Sequence, residues 1–160
     1  MSFEEIRVIT VVYVAVLLPL IIYFKNKSKL PGWVPSFYIV GVAVCALGWE
    51  LWFTYGWVDG DSVDVRRSEA LNIWLPKNIN WLMNSMGDAG AVLLGGAWLM
   101  WASHKKDERV FKEWKWSAFC ILLIWCISQN ILVEMFLYYD QLAEGKPLSW
   151  APLSPLGPYF

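Results

Sequence analysis

The chain has 160 residues, of which 58% are hydrophobic and 17% charged, whereas soluble domains average roughly 45–50% apolar and about 25% charged residues. Its formal net charge is −1. A chain this close to neutral lacks the basic surface that nucleic acid requires, which excludes nucleic acid as a partner. The apolar excess predicts an all-α, polytopic membrane protein in which residues 1–160 form a single membrane domain.

Four apolar stretches are long enough to cross a hydrocarbon core about 30 Å thick, which takes roughly 17 to 25 residues in a helix. The predicted spans are about Val8 to Phe24, Ser36 to Trp57, Ile79 to Ala102 and Ser117 to Tyr139. We expect the four to pack as one bundle, with a local bend at Pro19 of the first span. The acidic start, Glu4 and Glu5, is unlike the basic start of a cleaved signal peptide.

Basic residues are concentrated in the two loops that follow spans one and three. They are Lys25, Lys27 and Lys29 in the first loop and Lys105, Lys106, Arg109, Lys112 and Lys115 in the second. By the positive-inside rule both loops are cytoplasmic, so both termini and the loop at 59–77 are predicted to be extracytoplasmic. The segment 145–160 contains four prolines, which predict an extended tail on that outer surface. Tryptophans near the span ends are interpreted as interfacial anchors that contact membrane lipid.

The third span has a row of small residues at four-residue spacing, Gly87, Ala91 and Gly95. Such a row lets a second helix approach closely. Packing within this bundle is the favoured interpretation, and a homo-oligomer interface is the alternative.

No sequence motif indicates a cofactor or a metal. There is no GxSxG, no Gly-rich phosphate loop, no HExxH and no Glu-x-x-His pair. The string DGDSVD at 59–64 resembles the start of a calcium loop but lacks the glutamate at the twelfth position. The three cysteines lie in apolar stretches without paired spacing, so we interpret them as core residues and predict no disulfide framework.

Three carboxyl residues, Glu50, Asp88 and Glu134, lie within the predicted spans. Each is a candidate functional group, because an ionisable side chain in hydrocarbon costs ~2.5 to 3.5 kcal/mol even on lenient scales. Other polar residues share their helix faces at four-residue spacing. These are Asn80 and Asn84 before Asp88, Thr54 after Glu50, and Asn130 and Tyr138 on either side of Glu134.

Helical rise places these polar residues in the outer half of the bundle. Glu50 and Glu134 are expected roughly 8 to 10 Å below the outer boundary, and Asp88 and Asn130 about 14 Å below it. We therefore predict a polar pocket beneath the outer surface, with Glu50, Asp88 and Glu134 as its catalytic residues. Its predicted ligand-binding residues are Asn80, Asn84, Asn130, Tyr13, Trp49, Trp81 and Tyr138.

No lysine or arginine lies within the spans to neutralise these carboxyl groups. At least one is therefore expected to be protonated, or to pair with a bound cation or with Arg66 or Arg67 folding back from the outer loop. General-acid chemistry and proton coupling both need a carboxyl group of this kind. For the amides, the alternative is interhelical hydrogen bonding without a catalytic role, worth ~0.6 kcal/mol each.

Three strings carry a family resemblance. GWELWFTYGW in span two, SQNILVEMFLYY in span four and the terminal EGKPLSWAPLSPLGPYF resemble the emopamil-binding (EXPERA) family of membrane sterol isomerases. The Trp49 and Glu50 pair is also similar to one in integral-membrane terpene cyclases. Either resemblance implies an isomerase or cyclase that acts by proton transfer, with Glu50 as proton donor or cation stabiliser and Asp88 and Glu134 as candidate partners.

The sequence leaves three functions open. The first is an intramembrane enzyme or binding protein for a hydrophobic isoprenoid or sterol-like molecule, which the apolar, Trp-rich surroundings favour. The second is a non-catalytic subunit of a larger membrane complex. The third is a small proton- or cation-coupled transporter that works as an oligomer.

Overall fold

The computed structural model describes residues 1–56 and 61–137, with the side chains of residue 130 and residues 133–137 outside that description. Within these ranges the regular structure is helical and contains no strand, which confirms the predicted all-α class. The elements are α1 Phe3–Asn26, α2 Trp33–Leu47, α3 Trp49–Tyr55, α4 Val63–Arg66, α5 Glu69–Trp74, α6 Lys77–Gly87, a π-helical segment Asp88–Leu94, α7 Gly95–Ser103, a 3₁₀ turn Glu108–Phe111 and α8 Trp116–Leu137. The predicted tail at 145–160 lies outside the described residues.

The first helix begins at a capping box. The Ser2 hydroxyl accepts a hydrogen bond from the Glu5 backbone N–H at 3.2 Å, and a Glu5 carboxylate oxygen accepts one from the Ser2 N–H at 2.6 Å. Among the described residues, α1 alone is a single helix long and apolar enough to cross a bilayer, and α2 with α3 would add a second if the bent pair is one span. Only 11% of the most apolar stretch of α1 is buried, so the rest of the protein covers little of the surface of this helix.

The second predicted span is interrupted, which corrects the expectation of one continuous helix at 36–57. Helix α2 ends at Leu47, α3 begins at Trp49, and their axes differ by 46°. The break lies at Gly48, whose backbone angles, φ −101° and ψ −107°, are not helical. Helix α3 then ends at Gly56, which adopts the left-handed conformation at φ 62° that favours glycine.

The predicted outer loop is a folded cap that contains α4 and α5. Leu71 and Leu75 are buried against Val8 of α1, and they fix the cap to the N-terminal end of the first helix. The Ser68 hydroxyl caps α5 by accepting a hydrogen bond from the Leu71 N–H at 3.3 Å. The same hydroxyl donates to the Glu5 carboxylate at 2.5 Å, which adds a polar link between α5 and α1.

Helix α6, the π segment and α7 follow one another directly and form the central element of the bundle, in contact with α1, α2 and α8. Small residues allow these contacts. A Cβ atom at Gly41 would lie 3.2 Å from the Ala89 Cβ, and one at Gly90 would lie 3.0 Å from the Pro19 Cγ.

The predicted small-residue row faces neighbours in the same chain. A Cβ atom at Gly87 would lie 3.3 Å from the Ala15 Cβ in α1, and one at Gly95 would lie 3.2 Å from the Trp125 ring in α8. These two positions of the row are therefore used inside the bundle, as the favoured interpretation predicted.

Polar and apolar side chains are placed opposite to the arrangement in a soluble domain. Large apolar side chains face outward on α1, α2 and α8; the Leu47 side chain, for example, is 72% exposed. Several polar or charged residues are buried instead: Glu50, Thr54, Arg66, Arg67, Asn80 and Ser85. A soluble domain rarely exposes apolar surface on this scale.

Candidate functional site

The break at Gly48 positions the first residue of the site. It starts a new helix at Trp49 and so places Glu50 in the first turn of α3. A Cβ atom at position 48 would lie 2.9 Å from the Val44 carbonyl oxygen, which explains why glycine is needed there. The Trp81 indole N–H donates to the Ala46 carbonyl oxygen at 2.8 Å, next to the break. Trp81, predicted to bind ligand, thus holds α6 against the end of α2.

Glu50 is 3% exposed and lies among polar side chains from two helices. The Thr54 hydroxyl, one turn later on α3, donates to a Glu50 carboxylate oxygen at 3.2 Å. From α6, the Asn84 side chain is a second hydrogen-bonding partner, and Asp88 is the neighbouring acid. The two carboxyl groups therefore form an acid pair, defined here as Glu50 and Asp88, between α3 and the start of the π segment.

Arg66 provides a positive charge close to Glu50. Its side chain is 1% exposed, and its guanidinium lies 4.6 Å from the centre of the Phe53 ring. The guanidinium donates to the Asp61 carbonyl oxygen at 3.1 Å and also to the Phe53 carbonyl oxygen at the end of α3. The loop at 59–77 thus brings a cation near Glu50, as in one of the alternatives that the sequence left open.

The neighbouring Arg67 is buried by hydrogen bonds to neutral oxygens. It donates to the Asn72 side chain at 2.7 Å, to the Asn80 side chain at 3.0 Å and to the Leu75 carbonyl oxygen. Burial lowers the pKa of Arg67 to about 10, and the Asp64 charge opposes that shift. Arg67 therefore joins the outer cap to α6 while remaining charged at neutral pH. Asn80, predicted as a ligand-binding residue, is one of its partners.

The π segment begins at Asp88 and changes the hydrogen bonding of the backbone beside the acid pair. The Trp125 indole N–H of α8 lies 3.1 Å from both the Ala91 and the Val92 carbonyl oxygens. Segments of π-helix are rare and are often found at functional sites. Here the segment and Trp125 together set the path of the chain immediately after Asp88.

The remaining predicted site residues are divided between the protein surface and the undescribed part of the chain. The Tyr13 hydroxyl donates to the Trp74 carbonyl oxygen at 3.1 Å, which places it at the joint between α1 and the outer cap. Trp49 is partly buried and directly precedes Glu50. Asn130 and Glu134 lie on α8, but their side chains are outside the described residues, and so is all of Tyr138.

Sequence reasoning did not indicate the contacts of three residues that build the site. The sequence offers Arg67 as a partner for the carboxyl groups within the spans, but it donates to neutral oxygens instead, because the fold of the loop at 59–77 decides which oxygens it meets. The position of Trp125 in the sequence does not predict its contact, since that contact depends on how α8 lies against the π segment. Cys45 of α2 is half-buried and close to both acids, but its position there depends on the bend at Gly48.

The described residues contain no group of three or more His, Cys, Asp or Glu side chains that would hold a metal ion. The arrangement is instead suited to acid–base chemistry, because it brings together two carboxyl groups, two neutral hydrogen-bond donors and one cation, with Glu50 buried and Asp88 partly exposed. Fold and site together define an all-helical protein with an acid pair under a folded cap. Comparison with known protein families, curated proteins and solved structures finds no match. The resemblance to sterol isomerases and terpene cyclases therefore stays a prediction.

Proposed function

We propose that the chain is a multi-pass membrane protein whose four spans are α1, α2 with α3, the helical segment 77–103, and α8. The support is the outward placement of apolar side chains on these elements together with the burial of charged ones. Water would penalise that arrangement, whereas hydrocarbon favours it. By the positive-inside rule, the basic loops favour an extracytoplasmic position for the cap and the N-terminus.

Within this membrane domain, we propose that the acid pair transfers protons to and from a hydrophobic isoprenoid or sterol-like molecule. The observation that carries the proposal is Glu50, a carboxyl group 3% exposed with Asp88 beside it. Ionising both groups would place two negative charges side by side away from water, and the nearby Arg66 offsets only one. The pair therefore retains a proton, which a general acid requires.

Each residue has a defined role in the proposed reaction. The Glu50 carboxyl group gives its proton to one carbon of a carbon–carbon double bond, whose π electrons form the new C–H bond and leave a carbocation. The Asp88 carboxylate removes a proton from an adjacent carbon, and that C–H electron pair forms the shifted double bond. Thr54 and Asn84 orient the Glu50 carboxyl group. No further reactant is consumed. Glu134 stays a predicted third acid of the site.

The substrate class follows from the surroundings of the pair. Asp88, Asn84 and Trp49 are partly exposed, whereas the lipid-facing surfaces of the neighbouring helices are apolar. A molecule that enters from the bilayer would therefore contact apolar side chains everywhere except at the acid pair. Such a site suits a long apolar molecule with one reactive double bond better than a polar metabolite.

Incorporation of deuterium tests the proposal. The purified protein is incubated in D₂O with a panel of polyisoprenols and monounsaturated sterols, and products are analysed by mass spectrometry. We expect one carbon-bound deuterium per turnover in the wild type and a loss of at least about 100-fold in rate for Glu50→Gln. The matched control is Glu69→Gln on the exposed surface of α5, which should keep the wild-type rate. Equal turnover by Glu50→Gln and wild type would eliminate the assignment.

A second candidate, a proton- or cation-coupled transporter, is favoured by one specific observation. The acid pair lies where two membrane elements depart from α-helical geometry, at the Gly48 break and at the π segment that starts at Asp88. Transporters often place their ion sites at discontinuous helices. Solute flux into proteoliposomes that depends on a proton gradient, without conversion of the panel above, would favour this function over the enzyme.

A further inference from the structure

Asn80 is a buried amide at the outer end of α6 with part of its hydrogen-bonding capacity unused. Its side chain is 2% exposed, and its oxygen accepts from Arg67 at 3.0 Å. Its amide nitrogen has no partner among the described residues. A buried donor without an acceptor is costly, and an ordered water is a common partner for such a group.

The unpartnered nitrogen lies in a column of polar side chains along α6. Asn80, Asn84 and Asp88 follow at four-residue intervals, each step about 6 Å along the helix axis. Asn84 contacts Glu50, so the column reaches the acid pair from the outer side. A water at Asn80 would extend that column by one hydrogen-bonding group.

The column continues outward through the cap. Arg67 is bonded to Asn80 and to Asn72, and the Asn72 side-chain nitrogen donates to the Asp64 carbonyl oxygen at 2.7 Å. The Asp64 carboxylate in turn pairs with Lys77 at 2.8 Å, where both side chains are about one-third exposed, 36% and 33%. Hydrogen-bonded polar groups thus lead from the surface to Asn80, one helical turn from Asn84 and the acid pair.

The inner side of the pair is closed by contrast. Gly41 lies against Ala89 and Gly90 lies against Pro19, where an added Cβ atom would be 3.2 Å and 3.0 Å from its nearest neighbour. From residue 89 to residue 102, about 20 Å of helix, no side chain carries a carboxyl, amide or hydroxyl group. The pair therefore has a column of polar side chains on one side and largely apolar packing on the other, next to the Tyr38 hydroxyl of α2, which donates to the Met86 carbonyl oxygen at 3.3 Å.

The groups that face the pair come from each neighbouring element. Glu50 faces Asp88 and Arg66, with hydrogen bonds from Thr54 and Asn84. Helix α2 contributes the Cys45 thiol, which lies close to both carboxyl groups. The other charged groups of the column, Arg67, Asp64 and Lys77, lie farther out.

We propose that the acid pair exchanges protons only with the solution on the side of the outer cap, through this column, with a bound water at Asn80. Asn80 is then a positioning residue that holds the water. This inference rests on the proposed membrane arrangement, but it requires neither a substrate nor turnover.

A pH step on one side of a sealed membrane tests the direction. Vesicles with a single orientation are identified by labelling Glu69→Cys with an impermeant maleimide, in a parent chain that keeps the half-buried Cys45 and has Cys120 and Cys126 replaced. The infrared C=O band of the protonated acid pair, assigned by its loss in Glu50→Gln and Asp88→Asn, is then followed. We expect the band to respond to pH on the labelled side and to ignore a step on the opposite side. A response to the inner solution, or to both equally, would overturn the proposal.

Variants at Asn80 test the route. Asn80→Leu should slow hydrogen–deuterium exchange of the same band at least tenfold, because it removes the water site. Asn80→Ser keeps a small polar group and should exchange like the wild type, which separates the role from a folding defect. Asn78→Leu, an exposed amide nearby on α6 that accepts from Tyr55, is the matched control. Unchanged exchange in Asn80→Leu would show that protons take another path.

The two proposals fail in different ways. If no deuterated product forms but the band follows the outer pH, the proposed enzyme is wrong and one-sided exchange stands. If product forms but the band follows the inner pH, the enzyme stands and the column is not the route.

Discussion

The outer and inner parts of the central helical segment 77–103 are held in the bundle by different interactions. In the outer part, side chains of α6 are joined to the cap and to α2 by hydrogen bonds, such as Arg67 to Asn80 and Trp81 to Ala46. Farther in, glycines and alanines lie directly against α1, α2 and α8. The structure therefore combines a directional polar network with close apolar packing in one helical segment.

This difference matters for function because hydrogen bonds fix the positions of polar groups, whereas close apolar packing excludes water. A buried polar network needs all its partners, so it fixes the positions of acids and water but fails if one member is removed. Close packing of small residues excludes water and transmits steric strain. We expect the network to control chemistry at the acid pair and the packing to close the inner side.

The largest expected effect comes from breaking the outer network at Arg67. Arg67→Met leaves oxygens of Asn72, Leu75 and Asn80 without their donor, at about 1–3 kcal/mol for each buried unsatisfied group. We predict a loss of at least about 3 kcal/mol in the free energy of unfolding, measured by denaturant titration in detergent micelles. The control is Arg109→Met. The Arg109 guanidinium pairs with Asp107 on the exposed surface, so its removal should have a much smaller effect on stability. Equal effects of the two variants would mean that the network is not a stabilising unit.

An intermediate effect is expected from overpacking the inner region at Gly90. Gly90→Leu would press a side chain against the Pro19 ring, already 3.0 Å from where a Cβ atom would lie. We predict a destabilisation of about 1–3 kcal/mol in the same titration, because neither neighbouring helix can move freely. The control Gly32→Leu adds the same side chain where nothing lies within 4 Å. If Gly90→Leu were as stable as that control, the inner packing would be looser than the structure indicates.

The smallest effect is expected at the polar joint between α1 and α5. Ser68→Ala removes the cap of α5, worth about 1 kcal/mol, together with the hydrogen bond to Glu5. That bond lowers the pKa of Glu5, so its stabilisation is present above the unfolded pKa of about 4.3 and is lost as pH falls through the lower folded pKa.

Melting temperatures of wild type and Ser68→Ala should therefore converge in part as the pH is lowered below about 4. The cap of α5 does not titrate, so a residual difference should remain at acid pH. Ser28→Ala, an exposed serine at the opposite end of α1, should follow the wild type throughout. A difference between wild type and Ser68→Ala that did not change with pH would show that Glu5 contributes nothing through this bond.

Part of the site could be read from the sequence because it depends only on helical geometry. Residues four apart share a face of a helix, so Asn80, Asn84 and Asp88 were expected to line one surface. The structure brings Glu50, Asn84 and Asp88 together, while Tyr13 and Trp81 bond to backbone carbonyl oxygens instead. Which residues on a face meet a partner depends on the rotation of each helix, which spacing does not specify.

The interruptions of the helices were harder to predict from the sequence than the residues that share a helix face. A single glycine within an apolar run is tolerated in many helices, so Gly48 gave no clear signal of a 46° bend. The π segment likewise lies against Pro19, Gly41 and Trp125, which are distant in the sequence. The folded outer cap needed Leu71 and Leu75 to find Val8 of α1.

By itself, the amino-acid sequence determined that the described chain is helical and that Glu50 and Asp88 belong to apolar stretches of the chain, because both follow from composition and local spacing. The tertiary structure decided which acids become neighbours and which cation lies near Glu50. It also decided which side of the pair is polar. Those outcomes depend on a bend at one glycine and on a loop that folds back, and the free energy of both is set by contacts between residues far apart in the chain.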